Sequence, residues 1–297
     1  MLVFATETSC DETSICLMEN SSIVEHITFS QEIHKIHGGV VPELASRSHL
    51  EKIQSITNDL FSNKKIEPKE IDVFTATCGP GLIGSLLVGS TFTKSLAISF
   101  NKPFIPTNHL EGHILSTSFN NNIKFPNLIL LLTGGHTQVY LMKSENEIEL
   151  LGQSVDDAIG EAFDKTAKLI GLSYPGGSEI EQQALRGNGD KFTLPKPLVK
   201  EKNFNFSFSG IKTSINLLTK KNRIDKKFVE DLSASFQKNI TEILIEKLER
   251  GLKRLSSENK NIRSISVVGG VSNNKYIRSK IESFFVKKNI EIYYPIK

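Results

Sequence analysis

The sequence predicts an α/β protein built as two lobes of related topology, on three observations. The chain has 297 residues, enough for a substantial core divided between two lobes. An order of strand, polar turn, strand, strand and helix over residues 1–62 returns over 128–170 without obvious sequence identity, as a duplicated lobe would show it. Four turns rich in glycine or small polar residues, at 8–13, 78–84, 133–137 and 269–274, each follow a buried strand-like run. Glycines let backbone N–H groups approach phosphate oxygens, and a helix N-terminus behind the turn adds a favourable dipole. Together the turns suggest a nucleotide cleft between two lobes. None matches G-x-x-x-x-G-K-[ST] or G-x-G-x-x-G, so neither a P-loop nor a Rossmann fold is indicated.

The elements follow in order. Residues 2–8, 14–18 and 23–29 read as strands around a polar turn. Pro42 opens a helix to about Ser62, with Leu44, Ile53, Ile56 and Leu60 on its apolar face. A strand over 71–77 leads to a helix over 84–100, where Gly84, Ser85, Gly89 and Ser90 permit close packing. A short strand over 103–106 precedes the histidines discussed below. Strands over 128–132, 138–142 and 148–151 are followed by a helix over 156–170, whose acidic start at Asp156 and Asp157 suits the helix dipole. A turn at 174–177 enters a short helix over 179–186. The Pro-, Lys- and Phe-rich stretch 192–208 is expected to be irregular and exposed. Helices follow over 209–218 and 226–255. In the second, Phe228, Leu232, Phe236, Ile240, Ile243, Leu244 and Leu248 form a core stripe rather than a cofactor box. A strand over 265–268, a helix over 275–288 and a strand over 290–294 end the chain. The expected division is 1–107 for an N-terminal lobe and 108–297 for a C-terminal lobe carrying the metal and nucleotide site.

Composition excludes some classes. At 38% hydrophobic and 23% charged residues, wholesale disorder is ruled out. A net charge of +3 permits a nucleic-acid partner without requiring one. Cys10, Cys16 and Cys78 form an odd set without metal-type spacing, which fits a reducing compartment. The N-terminus enters a strand-like run with no basic n-region or cleavage site. The longest apolar runs, such as 128–132, are too short to span a bilayer. A cytoplasmic protein with no membrane partner is expected.

The stretch Asn108-His109-Leu110-Glu111-Gly112-His113 carries the chemistry. If His109 begins a helix, His109 and His113 stand at i and i+4 on one face, close enough to share one metal ion. Alone, H-x-x-x-H is more often a pair of surface histidines; the Gly-rich turns on either side favour the metal. Glu111 follows His109 by two residues and points away from that face, so it is not the general base of an H-E-x-x-H metalloprotease. Asp164, deeper in its helix than the dipole explains, is a candidate acceptor for substrate hydroxyl or amine groups. Lys212 reads equally as a phosphate or RNA contact and as a solvated lysine.

Seven motifs stand together in one order: Glu7-Thr8-Ser9-Cys10-Asp11-Glu12-Thr13, His37-Gly38-Gly39-Val40-Val41-Pro42-Glu43-Leu44-Ala45-Ser46-Arg47, Gly79-Pro80-Gly81-Leu82, the His109/His113 pair, Thr133-Gly134-Gly135-His136-Thr137, Phe206-Ser207-Phe208-Ser209-Gly210 and Gly269-Gly270-Val271-Ser272. With them the chain closely resembles, over its whole length, the bacterial branch of the TsaD family of tRNA threonylcarbamoyladenosine biosynthesis, formerly the glycoprotease family. The resemblance implies an actin/Hsp70/sugar-kinase-like (ASKHA) fold. It also implies transfer of the threonylcarbamoyl group from threonylcarbamoyl-AMP to N6 of adenosine 37 in tRNAs reading ANN codons, with release of AMP. By motif, His109 and His113 would hold one metal ion, Fe(2+) by family habit, with zinc or magnesium as alternatives. Leu131, Leu132, Thr133, Gly134 and Gly135 would form the substrate-phosphate strand and turn, and Asp164, Gly177, Glu181 and Asn274 would contact the nucleotide or acyl-adenylate. The expected partners are tRNA, a TsaB-like paralogue and a TsaE-like ATPase. The family pattern continues past the strand at 290–294 with a Cys-Thr-Asp-Asn segment whose Asp is a further ligand, and this sequence stops short of it. The alternatives are therefore a catalytically impaired fragment or scaffold subunit of the same pathway, and then a metallo-glycoprotease.

Overall fold

The computed structural model describes residues 1–20, 22–119 and 121–295. The chain forms two compact units, Met1–Leu115 and Ser116–Lys297.

In the first unit the strands are β1 (Leu2–Glu7), β2 (Glu12–Glu19) and β3 (Ser22–Ser30), followed by the single turn α1 (His34–His37) and the long helix α2 (Pro42–Lys64). Then come β4 (Val73–Gly79), α3 (Ile83–Ser99), β5 (Phe104–Asn108) and α4 (His109–Leu115). The sheet order is β3-β2-β1-β4-β5. The first three strands form an antiparallel meander, while β1, β4 and β5 run parallel, a pairing that needs the crossover helices α2 and α3. Pro42 sits in the first turn of α2, where its missing N–H costs nothing. Ile53, Ile56 and Leu60 pack with Phe4, Ile15, Leu17 and Phe74. On α3, Gly89 lies so close to Thr8 that a Cβ would overlap its Oγ1, which is the close packing its small residues allow.

The N-terminal half of α2 buries a polar residue within the apolar face. His49 is fully buried. Its Nε2 faces the Cys10 carbonyl at 3.0 Å, so Nε2 carries the proton, and Nδ1 accepts from Thr13 Oγ1 at 2.7 Å. Gln31 continues the network to the buried His34, at 2.8 Å.

The second unit repeats the topology. Its strands are β6 (Asn127–Leu132), β7 (Thr137–Ser144) and β8 (Glu147–Gln153), followed by α5 (Ile159–Leu169), α6 (Gly176–Ala184), α7 (Ser209–Lys221) and α8 (Lys226–Ser257). Then come β9 (Ser264–Val268), α9 (Lys275–Val286) and β10 (Glu291–Tyr293). The order β10-β9-β6-β7-β8 again sets an antiparallel meander on one side of the founding strand and two parallel strands on the other. All residues of β6 and β9 are buried, as befits strands covered on both faces.

Three expectations change. First, the division falls after Leu115 rather than after residue 107, because α4 packs back on β4 and β5; both histidines therefore belong to the first unit. Second, the stretch expected to be exposed contributes Phe204, Phe206 and Phe208 to the core, at 2%, 0% and 0% exposure. Phe206 N–H bonds the Gln153 carbonyl at 3.0 Å, fastening the segment beside β8. The fully buried Lys247 of α8 donates to Asn203 Oδ1 at 2.8 Å and to the Leu198 carbonyl at 3.1 Å. Third, α5 begins at Ile159, so Asp156 lies before it. Instead of serving the dipole, Asp156 accepts from Phe208 N at 2.8 Å, Ser207 Oγ at 2.5 Å and Ser209 Oγ at 2.7 Å. Among the described residues no helix is long and apolar enough to cross a membrane.

Burial pushes the His49 pKa below its ordinary 6.5, against the raising effect of its bond to Cys10. Below about pH 6.5 the unfolded chain takes up a proton that the folded chain resists, so stability present above that pH is lost as pH falls. Thermal unfolding followed by circular dichroism should show Tm falling between about pH 6.5 and 5, before the carboxylates titrate, and falling less in His49→Gln.

Candidate active site

The first cluster stands at the carboxyl ends of the parallel strands of unit one. β5 ends at Asn108, whose Oδ1 accepts from Leu110 N at 2.8 Å and Glu111 N at 3.4 Å. This cap starts α4 at His109, so His109 and His113 share a face. Their ring centroids lie 4.7 Å apart at an interplanar angle of 79°. Behind His109 lies Glu7, the last residue of β1. Its Oε1 accepts from Ser9 N at 2.5 Å and its Oε2 from Thr77 Oγ1 at 2.6 Å. Oε2 is also 3.1 Å from His109 Nδ1. Burial raises the Glu7 pKa, but the bond and charge of His109, with the Ser9 and Thr77 bonds, outweigh it and hold the carboxyl at about 2, below its ordinary 4.5.

Two imidazoles at this spacing, one backed by a carboxylate, form a donor set suited to iron or zinc. The described residues contain no group of three or more His, Cys, Asp or Glu side chains that could hold a metal, so His109 and His113 would offer an ion two ligands. Glu111 is exposed and lies about 200° around the helix from His109.

The second cluster is a ring of contacts within unit two. β6 ends at Leu132, and Thr133 closes a tight turn: its N–H donates to the His136 carbonyl at 2.8 Å and its Oγ1 accepts from His136 N at 2.8 Å. Gly134 and Gly135 project from this turn, exposed, with open space where a Cβ would stand. Their N–H groups make no hydrogen bond to any described residue. The start of α5 presses on the turn, since a Cβ on Gly160 would lie 2.7 Å from Gly134 Cα and 2.8 Å from the Thr133 carbonyl oxygen. One turn on, Asp164 Oδ1 accepts from Gly176 N at 2.8 Å and fixes the start of α6. Gly177 has open space around it. From α6, Glu181 Oε1 accepts from Lys275 N at 2.6 Å. Asn274 caps α9 through Ile277 N at 3.0 Å and donates to Gln237 Oε1 at 2.8 Å. Gly269, at φ 92°, returns the ring to β6, for a Cβ there would overlap the Leu132 carbonyl.

Leu131, Leu132, Thr133, Gly134, Gly135, Asp164, Gly177, Glu181 and Asn274 thus all belong to this ring or border it. The leucine side chains are buried at 0% exposure, so these two residues set the turn in place instead of facing a ligand with their side chains. Lys212 is exposed on α7. Glu7 was missed by sequence reasoning as a partner of the histidines: it lies inside a quoted motif, but 102 residues separate it from His109.

Gly160→Ala should drive α5 off the turn and cost about 1–3 kcal/mol, read by urea denaturation. Gly177→Ala, with room for the methyl group inside α6, should unfold at or above the wild-type midpoint.

The family profile described as TsaD, tRNA N6-adenosine threonylcarbamoyltransferase, matches residues 22–297. The tRNA N6-adenosine threonylcarbamoyltransferase of Thermosipho africanus is 42% identical to this chain, covering 99% of it and 88% of that protein. Among solved structures, full-length HypF in its phosphate- and nucleotide-bound form gives a TM-score of 0.60 at 14% identity, over 98% of this chain and 52% of that one. A ROK family protein from Streptococcus pneumoniae gives 0.53 at 10% identity, over 100% and 93%. These two likenesses concern the fold alone, the actin/Hsp70/sugar-kinase-like architecture of two related α/β lobes. With the family profile matching residues 22–297 and 42% identity to a named member over nearly its whole length, the chain belongs to the TsaD family of tRNA N6-adenosine threonylcarbamoyltransferases.

Proposed function

We propose that this chain transfers the threonylcarbamoyl group of threonylcarbamoyl-AMP to N6 of adenosine 37 in tRNAs reading ANN codons, releasing AMP. The observation that carries the reading is the open turn at Gly134 and Gly135, whose unpartnered N–H groups are held in place within a chain of this family. Backbone donors fixed by packing on both sides are suited to a phosphate, because they need no rearrangement when the anion arrives. Leu131, Leu132 and Thr133 would hold the turn at the end of a fully buried strand. Asp164, Gly177, Glu181 and Asn274 would line the adenylate, with Gly177 letting it approach the backbone.

In the reaction the N6 amine attacks the carbamoyl carbonyl, the bond from that carbon to the phosphate oxygen breaks, and N6 loses a proton. AMP is a good leaving group, so holding the two reactants in register supplies much of the rate. His109 and His113 would bind one ion, Fe(2+) by family habit with zinc or magnesium as alternatives. Such an ion would supply Lewis-acid chemistry. The reading includes a cytoplasmic setting and, as partners, a TsaB-like paralogue and a TsaE-like ATPase.

The test is reconstitution with unmodified tRNA, threonylcarbamoyl-AMP and the partners, followed by nucleoside mass spectrometry. The expected result is threonylcarbamoylated adenosine from the wild type, with His109→Ala reduced at least about tenfold. No modified adenosine from a wild type that binds tRNA would sink the reading.

A further inference from the structure

We infer that Glu7 is the positioning residue of the histidine pair: its carboxylate holds His109 as the Nδ1–H tautomer and leaves the Nε2 lone pair for a metal ion. The inference rests on the metal reading of His109 and His113 given above. Three neighbouring parallel strands, β1, β4 and β5, each bring one member to their carboxyl ends. Glu7 closes β1, Thr77 lies near the end of β4, and His109 follows β5 directly.

The carboxylate is anchored before it meets the imidazole. Ser9 N–H occupies Oε1 at 2.5 Å and Thr77 Oγ1 occupies Oε2 at 2.6 Å. Oε2 then stands 3.1 Å from His109 Nδ1, and Ser9 Oγ stands at the same 3.1 Å from that nitrogen. An ionised carboxylate only accepts hydrogen bonds. An Nδ1 lone pair aimed at it would be repelled, so Nδ1 carries the hydrogen. A neutral imidazole has one N–H, and Nε2 is then the ligating nitrogen. A carboxylate behind a ligating histidine fixes both tautomer and ring direction and raises ligand basicity. A Glu7 that merely braced the end of β1 would keep its Ser9 and Thr77 bonds but would have no effect on His109.

Two measurements separate these roles. In apo-protein with labelled histidines at about pH 8.5, where imidazoles are neutral, nitrogen–proton correlation NMR should show His109 protonated at Nδ1 in the wild type. Glu7→Ala should move the proton toward Nε2. Titration with Co²⁺, followed by calorimetry and by the visible ligand-field band, should show affinity weakened by about 10–100-fold in Glu7→Ala. The isosteric Glu7→Gln, whose circular dichroism and Tm verify folding, should also bind more weakly. Nε2 protonation in the wild type would overturn the proposal. Unchanged Co²⁺ affinity in both folded variants would also overturn it and leave the metal reading intact. A wild type that binds no Co²⁺ would overturn the metal reading and this proposal together.

Discussion

A strand paired along both edges and covered on both faces has no free hydrogen-bonding group until it ends. β6 is such a strand: it pairs with β7 and β9, and all its residues are buried. The first backbone donors that the fold leaves open beyond it are those of Gly134 and Gly135. β1 holds the corresponding place in the first sheet, between β2 and β4; its last residue is Glu7, and Ser9 lies just beyond it. In both units the candidate site residues lie where the ladder stops, the position ligands take in open α/β sheets.

What fixes the end of β6 is close approach. Gly160 and Gly269 have no space for a side chain because the Thr133 turn is clasped from two directions. The carboxylates Asp164 and Glu181 then use backbone N–H groups to pin successive helix starts. Candidate ligand-binding residues are thereby also structural ones. Asn274 illustrates this, since its amide already caps α9 and bonds Gln237.

Much of this was legible in the sequence, for physical reasons. The recurring order of elements became a recurring sheet topology because buried apolar runs and glycine turns mark strands and their ends. The sequence posed a helix start at His109 only as a condition, and the structure meets it through the Asn108 side chain, which caps α4. Local signals failed where distant contacts decide. The Phe204–Phe208 region has the composition of an exposed loop, yet Gly152 and Gly251 leave the space its Phe204 occupies, and Asp156 secures its far end. Asp156 resembled a dipole residue because it precedes a helix by a few positions. The division between units was misplaced because α4 packs on the strands before it, a tertiary choice that sequence order does not reveal.

The repeated topology is realised over unequal spans of chain. β1 meets β4 by pairing Val3 with Val73, whereas β6 meets β9 by pairing Asn127 with Ser264, 137 residues later. On a ribosome adding about 5–20 residues per second, about 7–27 seconds pass before β9 can reach β6. During that interval one edge of a leucine-rich strand is exposed and can pair with another chain. The second unit is therefore the part of the molecule most dependent on its own helices, or on chaperones, to shield a nascent edge.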